Sequence, residues 1–271
     1  MAALSDSHLD TLDTFLIELN YASADVILPL FRAEHGLENK AAEGRPFDPV
    51  TAADKGAEAE IRRLIAAHYP EHGVIGEEYG ADRPDAEFVW VLDPIDGTRA
   101  FIAGLPLWTT LIGLRWQGQA VLGSIGQPFI GEVFIGDARG SRLLTPSAEI
   151  ALKTRPCSSL SQAVIATTDP YLFKDAEAGA WNDLRAVVRL ARYGCDAYAY
   201  AMVAMGRLDG VVETGLKAWD VESAIPVLAG AGGFVADWRG QPIGGDGGQM
   251  LITGDRAILD QAAALLGPAA R

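Results

Sequence analysis

Residues 90–98 read Trp-Val-Leu-Asp-Pro-Ile-Asp-Gly-Thr, and they join an apolar run that predicts a buried strand to a turn with two carboxylates. Asp93 and Asp96 stand three positions apart around Pro94. At a separation of about 4 Å, two carboxylates repel each other by roughly 4 kcal/mol when the effective dielectric constant is about 20. A bound cation would offset this repulsion, and hard oxygen ligands favour Mg²⁺. The alternative is an ordinary polar turn, because Asp-Pro and Asp-Gly are common turn dipeptides.

The composition and charge of the chain indicate what type of protein it is and which partners are unfavourable. Its 271 residues are 49% hydrophobic and 21% charged, which indicates a compact globular protein. A formal net charge of −14 argues against nucleic acid or an anionic membrane as a partner. The sequence shows no signal-peptide pattern and no apolar run long enough to cross a membrane, and its two cysteines suit a reducing compartment. We therefore expect a cytoplasmic protein.

The spacing of apolar residues divides the chain into two predicted domains. Residues 1–145 are predicted to form an α+β domain with an antiparallel sheet, because tight glycine-containing turns join its strands. Residues 146–271 are predicted to form an α/β domain, because strands and helices alternate there. The predicted helices cover residues 9–32, 51–69, 181–192, 196–205, 219–229 and 256–266. The predicted strands cover residues 74–75, 88–92, 107–116, 120–127, 131–136, 164–168, 211–213, 233–238 and 250–253.

Acidic residues recur at predicted strand ends, turns and helix starts, where backbone groups converge and side chains can point into one cleft. They are Asp54, Glu77, Asp93, Asp96 and Asp220. Asp54 lies in the first turn of the predicted helix 51–69, where the helix dipole favours a carboxylate. Asp220 follows Trp219 at a predicted helix start, so its alternative interpretation is a helix N-cap. Glu77 and Glu78, taken alone, would be an ordinary solvated pair.

Four motifs together resemble those of the inositol monophosphatase superfamily of Mg²⁺-dependent phosphatases. They are Val50-Thr51-Ala-Ala-Asp54, Ile75-Gly-Glu77-Glu78, Asp93-Pro-Ile-Asp-Gly-Thr98, and Trp219-Asp220 with Ala231-Gly232-Gly233. They occur in the order found in that superfamily. The resemblance implies a layered αβαβα sandwich, a homodimer, and a small phosphorylated metabolite as the substrate.

The resemblance also implies a set of metal ligands. The first Mg²⁺ is expected at Glu77, Asp93 and the carbonyl oxygen of Ile95, and the second at Asp93, Asp96 and Asp220. A third ion, bound more loosely and largely through water, is expected near Glu77 and Asp54. Two such ions about 3.5–4 Å apart would neutralise the phosphate, lower the pKa of the attacking water and stabilise the leaving alkoxide.

The catalytic residues that the resemblance implies are Glu77, Thr98 and Asp54. Thr98, with Glu77, is expected to orient the attacking water. The backbone N–H groups of Gly97 and Thr98 open a short predicted helix and are expected to bind phosphate oxygens. Lys40 is a weaker match to the active-site lysine of the family, because its spacing to Asp54 is a few residues longer than usual.

The residues that follow Thr98 resemble one branch of the superfamily, the histidinol-phosphatases. Arg99-Ala-Phe, followed by Gly104-Leu-Pro106-Leu-Trp108, stands where the inositol branch usually has Thr-Asn-Phe. Residues 192–198, Arg-Tyr-Gly-Cys-Asp-Ala-Tyr, and residues 212–220 also resemble the histidinol-phosphatase branch. Ala218-Trp219 departs from the Pro-Tyr that many members of this branch have there.

Histidinol phosphate carries a cationic ammonium as well as its anionic phosphate, and the sequence offers acidic partners for the ammonium. Asp196 and Glu213 could bind it through charge-assisted hydrogen bonds, and Arg192 lies in the same substrate-binding segment. Asp196 has a helix N-cap as its alternative interpretation, and Glu213 could equally accept hydrogen bonds from an inositol hydroxyl.

The sequence therefore predicts a Mg²⁺-dependent histidinol-phosphatase of histidine biosynthesis. An inositol-1-phosphatase or a broad-range sugar-phosphate phosphatase is the alternative within the same chemistry. A binding partner of the transcription machinery that acts without catalysis is the alternative from a different class. The five acidic residues and the strongly negative net charge favour catalysis.

Overall fold

A computed structural model describes residues 4–33, 38–39, 49–244 and 246–271 of the chain. Its α-helices are α1 (Asp6–Ile27), α2 (Ala52–His68), α3 (Thr98–Ile102), α4 (Ala176–Val187), α5 (Tyr198–Ala204), α6 (Ala218–Val221), α7 (Ala224–Gly230) and α8 (Arg256–Leu266). Its first ten strands are β1 (Glu38–Asn39), β2 (Pro49–Val50), β3 (Gly73–Gly76), β4 (Gly80–Asp82), β5 (Phe88–Asp96), β6 (Thr109–Trp116), β7 (Gln119–Gln127), β8 (Glu132–Asp137), β9 (Gly140–Thr145) and β10 (Ala148–Ala151). The remaining strands are β11 (Val164–Thr167), β12 (Leu190–Tyr193), β13 (Gly210–Leu216), β14 (Phe234–Ala236) and β15 (Gly248–Thr253).

The strands form two main sheets. Within the described residues, the larger sheet has eight strands in the order β10-β9-β8-β7-β6-β5-β3-β4, and its pairs are antiparallel except for β3 with β5. The smaller sheet has five strands in the order β12-β11-β13-β15-β14. Strand β11 runs parallel to both β12 and β13, whereas β15 runs antiparallel to its two neighbours.

Alternate side chains of the large sheet face two different helical layers, as the two-residue period of a strand requires. Trp90 and Leu92 lie in a buried cluster with Leu16 of α1 and Ile61 of α2. Leu111, from the other face of the sheet, lies in a cluster with side chains of α5 and α7. Helices α1 and α2 therefore cover one face of this sheet, and α5 and α7 cover the other.

The small sheet completes the stack. Val211 and Ile252 face α5 and α7, so these two helices lie between the sheets. Ile165 and Leu251 face the opposite way and pack in a cluster with α4 and α8, to which Trp181 also belongs. This order of layers is the αβαβα sandwich predicted from the sequence, and that prediction is confirmed.

Two predicted helices differ from the structure. The helix predicted over residues 181–192 ends at Val187, and Leu190–Tyr193 form the edge strand β12, because the backbone there pairs with the neighbouring strand β11. The helix predicted over residues 219–229 is divided into α6 and α7. Pro226 explains the division, since a proline without an N–H group is tolerated in the first turn of a helix but not in its interior.

The region around the predicted domain boundary contains strands that the sequence patterns did not predict. Strands β9 and β10 form a hairpin at the edge of the large sheet, with Thr145 paired to Ala148. The boundary predicted after residue 145 therefore falls in the turn of this hairpin, and the large sheet continues to Ala151. The division into two domains stays a prediction. Among the described residues, no helix combines the length and the apolar character needed to cross a membrane.

Candidate active site

The turn at the end of β5 is shaped by a β-bulge. Asp93 pairs with Leu111 and Asp96 with Thr109, so β5 carries one more residue than β6 over this interval. Residues three apart on a regular strand point to opposite faces, and the extra residue reverses this relationship. The Asp93 carboxylate accepts a hydrogen bond from the N–H of Ile95 at 3.1 Å, which holds the turn closed.

The bulge brings Asp93 and Asp96 together with Asp220, and we call these three residues the acidic cluster. One carboxylate oxygen from each lies within 4.8 Å of the other two. Asp220 is the third residue of α6 after the N-cap Lys217, and it accepts a hydrogen bond from the Lys217 N–H at 2.6 Å. Asp220 thus helps to cap the helix and faces the cluster as well, although Lys217, not Asp220, occupies the N-cap position.

Burial and crowding make it electrostatically unfavourable for all three groups of the acidic cluster to be ionised when no cation is bound. Burial, reinforced by the neighbouring acidic groups, raises the pKa of Asp93 and of Asp96 well above the ordinary value. Burial is also the main cause that raises the pKa of Asp220 to about 7. Because the three carboxyl groups are crowded together, and Asp220 raises the pKa of both Asp93 and Asp96, a cation at their centre would stabilise the ionised forms.

Asp54, Thr98 and Ile95 meet beside the acidic cluster. Asp54 is buried in the first turn of α2, where it accepts hydrogen bonds from the backbone N–H and the hydroxyl of Thr51. Its second carboxylate oxygen lies 3.5 Å from the Thr98 hydroxyl, which is also 3.1 Å from the carbonyl oxygen of Ile95. Burial raises the pKa of Asp54, despite the hydrogen bonds from Thr51 that lower it.

Glu77 directly follows β3, the strand that runs parallel to β5. Its backbone N–H donates to the carbonyl oxygen of Leu92 at 3.2 Å, so Glu77 lies beside the start of the aspartate turn. The negative charge of Glu77 contributes to the raised pKa of Asp93 and of Asp220, as expected for a neighbouring carboxylate. Glu77 therefore belongs to the same electrostatic environment as the acidic cluster.

Gly97 and Thr98 begin helix α3 next to the turn. Gly97 is its N-cap residue and has a left-handed backbone, with φ 84°. A Cβ atom at Gly97 would lie 3.0 Å from Cγ of Asp196, so this glycine also allows the Asp196 side chain to approach. This close approach places the Asp196 carboxylate beside the start of α3.

Asp196 approaches the acidic cluster from the loop before α5. It is not the N-cap of that helix, as one interpretation of the sequence proposed, because Ala197 occupies the N-cap position. The N–H of Ala197 donates to Asp96 at 2.7 Å, which joins this loop to the cluster. Burial raises the pKa of Asp196 to about 6, while the positive charge of Arg99 acts in the opposite direction.

Glu213 is buried on β13 and is held by the end of β11. It accepts hydrogen bonds from the N–H of Thr168 at 2.7 Å and from the Thr168 hydroxyl at 3.0 Å. Burial raises the pKa of Glu213 to about 8, despite these hydrogen bonds. Arg192 lies exposed on edge strand β12, and Lys40 lies outside the described residues.

Several residues around the site were not predicted from the sequence. The Thr109 hydroxyl lies 3.4 Å from a carboxylate oxygen of Asp96, and the Thr110 hydroxyl donates to the carbonyl of Pro94 at 2.8 Å. Glu58 is fully buried and accepts hydrogen bonds from the backbone just after Glu77. Its spacing of four from Asp54, which places both on one face of α2, is a signal that could have identified it.

Comparison with known proteins relates nearly the whole chain to one family. The sequence profile of the inositol monophosphatase family matches residues 8–267. The chloroplastic bifunctional phosphatase IMPL2 of Arabidopsis thaliana is 41% identical over 240 residues, which cover 88% of this chain and 67% of IMPL2. Histidinol-phosphatase of Chlorobaculum parvum is 34% identical over 214 residues, which cover 79% of each protein.

A solved structure shares the same fold. An inositol monophosphatase from Zymomonas mobilis is 36% identical and gives a TM-score of 0.85, with 97% of this chain and 100% of that chain covered. Further relatives, at 34% and 33% identity, are named inositol-1-monophosphatase in Mesorhizobium japonicum and Nus factor SuhB in Haemophilus influenzae. The match to the Mesorhizobium japonicum protein covers 76% of each protein. The match to the Haemophilus influenzae protein covers 70% of this chain and 72% of that protein.

Proposed function

The chain belongs to the inositol monophosphatase family of phosphatases, and we propose that it is a Mg²⁺-dependent enzyme that hydrolyses L-histidinol phosphate to L-histidinol and phosphate. The observation that carries this proposal is the position of Asp196, whose side chain lies against Gly97 beside the acidic cluster. A carboxylate there suits a substrate that carries a cationic group near its phosphate. The name of one relative, histidinol-phosphatase of Chlorobaculum parvum, supports the same choice.

The chemistry of the acidic cluster fits a divalent cation. Its donors are carboxylate oxygens, which Mg²⁺ prefers, and their approach to within 4.8 Å is repulsive without a cation. The proposed ligands are Glu77, Asp93 and the Ile95 carbonyl for one ion, Asp93, Asp96 and Asp220 for a second, and Asp54 with Glu77 for a loosely bound third. When bound, Mg²⁺ supplies charge neutralisation for the phosphate and a water of lowered pKa.

Glu77, Thr98 and Asp54 are the proposed catalytic residues. The Thr98 hydroxyl can donate its proton to Ile95 or to Asp54, which leaves its oxygen free to accept a hydrogen bond from the attacking water. Glu77 is proposed to orient the same water and to take its proton. The N–H groups of Gly97 and Thr98 are proposed to bind phosphate oxygens at the start of α3. The ester is then hydrolysed without a phosphorylated side chain.

The ammonium group of the substrate is proposed to bind between Asp196 and Glu213, with Arg192 lining the same site. Burial raises the pKa of both carboxyl groups, to about 6 and about 8, so a nearby ammonium would stabilise their ionised forms. Charge-assisted hydrogen bonds of this kind are about twice as strong as neutral ones. A polyol phosphate, which has no cationic group, would gain no such stabilisation.

A second candidate is an inositol-1-phosphatase. Glu213 favours it, because a buried carboxyl group on β13 can also accept hydrogen bonds from a substrate hydroxyl. The relative named inositol-1-monophosphatase and the Zymomonas mobilis structure support it as well.

The ratio of kcat/KM for histidinol phosphate and inositol 1-phosphate, measured by phosphate release with Mg²⁺, separates the two candidates. We expect a preference of about 100-fold for histidinol phosphate, which corresponds to about 2.7 kcal/mol of differential transition-state binding. A preference for inositol 1-phosphate would overturn the role given to Asp196. Activity on neither would contradict the proposal and favour another ester, or the binding partner of the transcription machinery that is the alternative from a different class.

We further propose that the protein is a homodimer and acts in the cytoplasm, as the resemblance and the composition of the sequence predict. Light scattering coupled to gel filtration tests the first point, and a mass near the 28.8 kDa of one chain would contradict it. Imaging of the tagged protein in its native cell tests the second point.

A further inference from the structure

We propose that Glu58 is a positioning residue that holds Glu77 at the correct place for metal binding, an inference that rests on the metal site proposed above. The hydrogen bonds of Glu58 go to Arg62 and to the backbone after Glu77. Glu58 acts through the backbone turn that follows β3 and carries Glu77.

Helix α2 presents two acidic side chains one turn apart. Asp54 and Glu58 are four residues apart, and side chains at this spacing lie on the same face of a helix. Asp54 approaches Thr98 at the site, with 3.5 Å between the two side-chain oxygens. Glu58 accepts a hydrogen bond from the N–H of Glu78 at 2.8 Å and another from the N–H of Tyr79 at 3.2 Å. One helix face therefore contacts both the site and the turn that delivers Glu77.

Arg62 completes this attachment. Its Nε donates to Glu58 at 2.8 Å, and its terminal nitrogen donates to the carbonyl oxygen of Gly80. The Glu58 side chain is fully buried, and a buried carboxylate is costly unless charges and donors compensate it. Here one guanidinium and two backbone N–H groups do so, which makes the contact specific for a carboxylate.

Gly76 shows how closely Glu58 lies against the backbone before Glu77. A Cβ atom added to Gly76 would lie 2.1 Å from a carboxylate oxygen of Glu58, so any side chain there would have to displace the Glu58 carboxylate. The N–H of Glu77 is meanwhile bound to the carbonyl of Leu92 on β5. The backbone around Glu77 is thus held from two sides, by Leu92 of β5 and by Glu58 of α2.

Mn²⁺ titration of the metal-free protein, followed by electron paramagnetic resonance, tests this role without substrate. We expect Glu58→Gln to weaken Mn²⁺ binding by about 10-fold or more, the usual effect of losing a residue that orients a metal ligand. The amide cannot accept from both N–H groups and from Arg62. Glu60→Gln is the matched control, because Glu60 pairs with Arg63 on the same helix without a described contact to the turn. It should bind Mn²⁺ like the parent protein.

The outcomes separate the two proposals. If the parent protein binds no Mn²⁺, the proposed function fails. If the parent and folded Glu58→Gln bind Mn²⁺ equally, with only the melting temperature lowered, Glu58 is merely structural and the inference is wrong. If Glu58→Gln does not fold, Arg62→Lys decides, since a lysine has one nitrogen and cannot occupy both positions from which Arg62 donates to Glu58 and Gly80. We expect it to weaken Mn²⁺ binding by about threefold, and unchanged binding would overturn the inference.

Discussion

The carboxylates of Asp93 and Asp96 belong to one cluster although three positions separate them on the same strand. The cause is the extra residue in β5 opposite β6. On a regular strand Asp93 and Asp96 would point to opposite faces of the sheet, and the bulge turns them to the same face. This arrangement accumulates negative charge at the end of a buried strand. Protons or a cation must neutralise this charge for the arrangement to be stable, so removing one of the charges should have a measurable effect.

Asp93→Asn should separate activity from stability. We expect kcat with Mg²⁺ to fall by about 1,000-fold or more, equivalent to about 4 kcal/mol of transition-state stabilisation. Without metal, however, the free energy of unfolding should rise by about 1 kcal/mol, because the neutral amide removes like-charge repulsion and its oxygen can still accept from Ile95. Phosphate-release assays and urea unfolding in EDTA measure the two effects.

Asp209→Asn provides the contrast for that experiment. Asp209 is equally buried but pairs with Arg155 and accepts from the N–H of Val164 at 2.7 Å, and these partners lower its pKa. Its substitution should reduce the free energy of unfolding by about 2 kcal/mol and leave kcat unchanged. Equal stability changes in the two variants would contradict the electrostatic account of the cluster.

Gly97→Ala should impair catalysis beyond its effect on stability. Gly97 has a left-handed backbone, which costs an alanine about 1–2 kcal/mol, and its new methyl group would meet Asp196 at 3.0 Å. We expect kcat/KM to fall by about 10- to 100-fold, because Asp196 and the start of α3 must move apart.

Gly118→Ala is the matched control for that variant. Gly118 has a similar φ of 79°, but no atom beyond its chain neighbours lies within 4 Å of the added Cβ. We expect the same loss of stability in urea unfolding and normal kcat/KM. If both variants lose activity equally, backbone strain rather than the contact with Asp196 is responsible.

The double substitution Glu213→Gln with Asp196→Asn should change substrate preference. We expect KM for histidinol phosphate to rise by about 10-fold or more, because the two proposed partners of the ammonium lose their charge, whereas KM for a sugar phosphate without a cationic group changes by less than about threefold. Steady-state kinetics on both substrates measures the difference. Equal effects on the two substrates would argue against an ammonium site.

Sequence patterns predicted the features that depend on local chemistry. The apolar run into Asp93, the glycine-containing hairpins and the first turn of α2 all signal their structures within a few residues. The strand β12 was missed, because its pairing with β11 comes from a segment more than 20 residues earlier in the chain. The placement of Asp196 against Gly97 was also beyond local patterns, since 99 positions separate the two residues and no spacing rule connects them.

His72 should make stability depend on pH in a defined window. Its ring stacks between Tyr69 and Phe88, with centroids 4.6 and 4.8 Å away, and its Nδ1 accepts a hydrogen bond from the indole of Trp90 at 3.1 Å. Burial lowers the pKa of His72 from 6.5 to about 4. Between these values the unfolded chain binds a proton that the folded protein does not. The contribution is therefore fully present above pH 6.5 and lost as the pH falls toward 4.

Urea unfolding at pH 7 and pH 4.5 of the parent protein and of His72→Asn measures this contribution. The asparagine oxygen can accept from Trp90 but does not titrate, so the parent should lose about 2 kcal/mol more on acidification than the variant does. Carboxyl groups that also titrate over this range are present in both proteins and cancel in the difference. An equal loss in both proteins would mean that His72 binds its proton in the folded state as readily as in the unfolded chain.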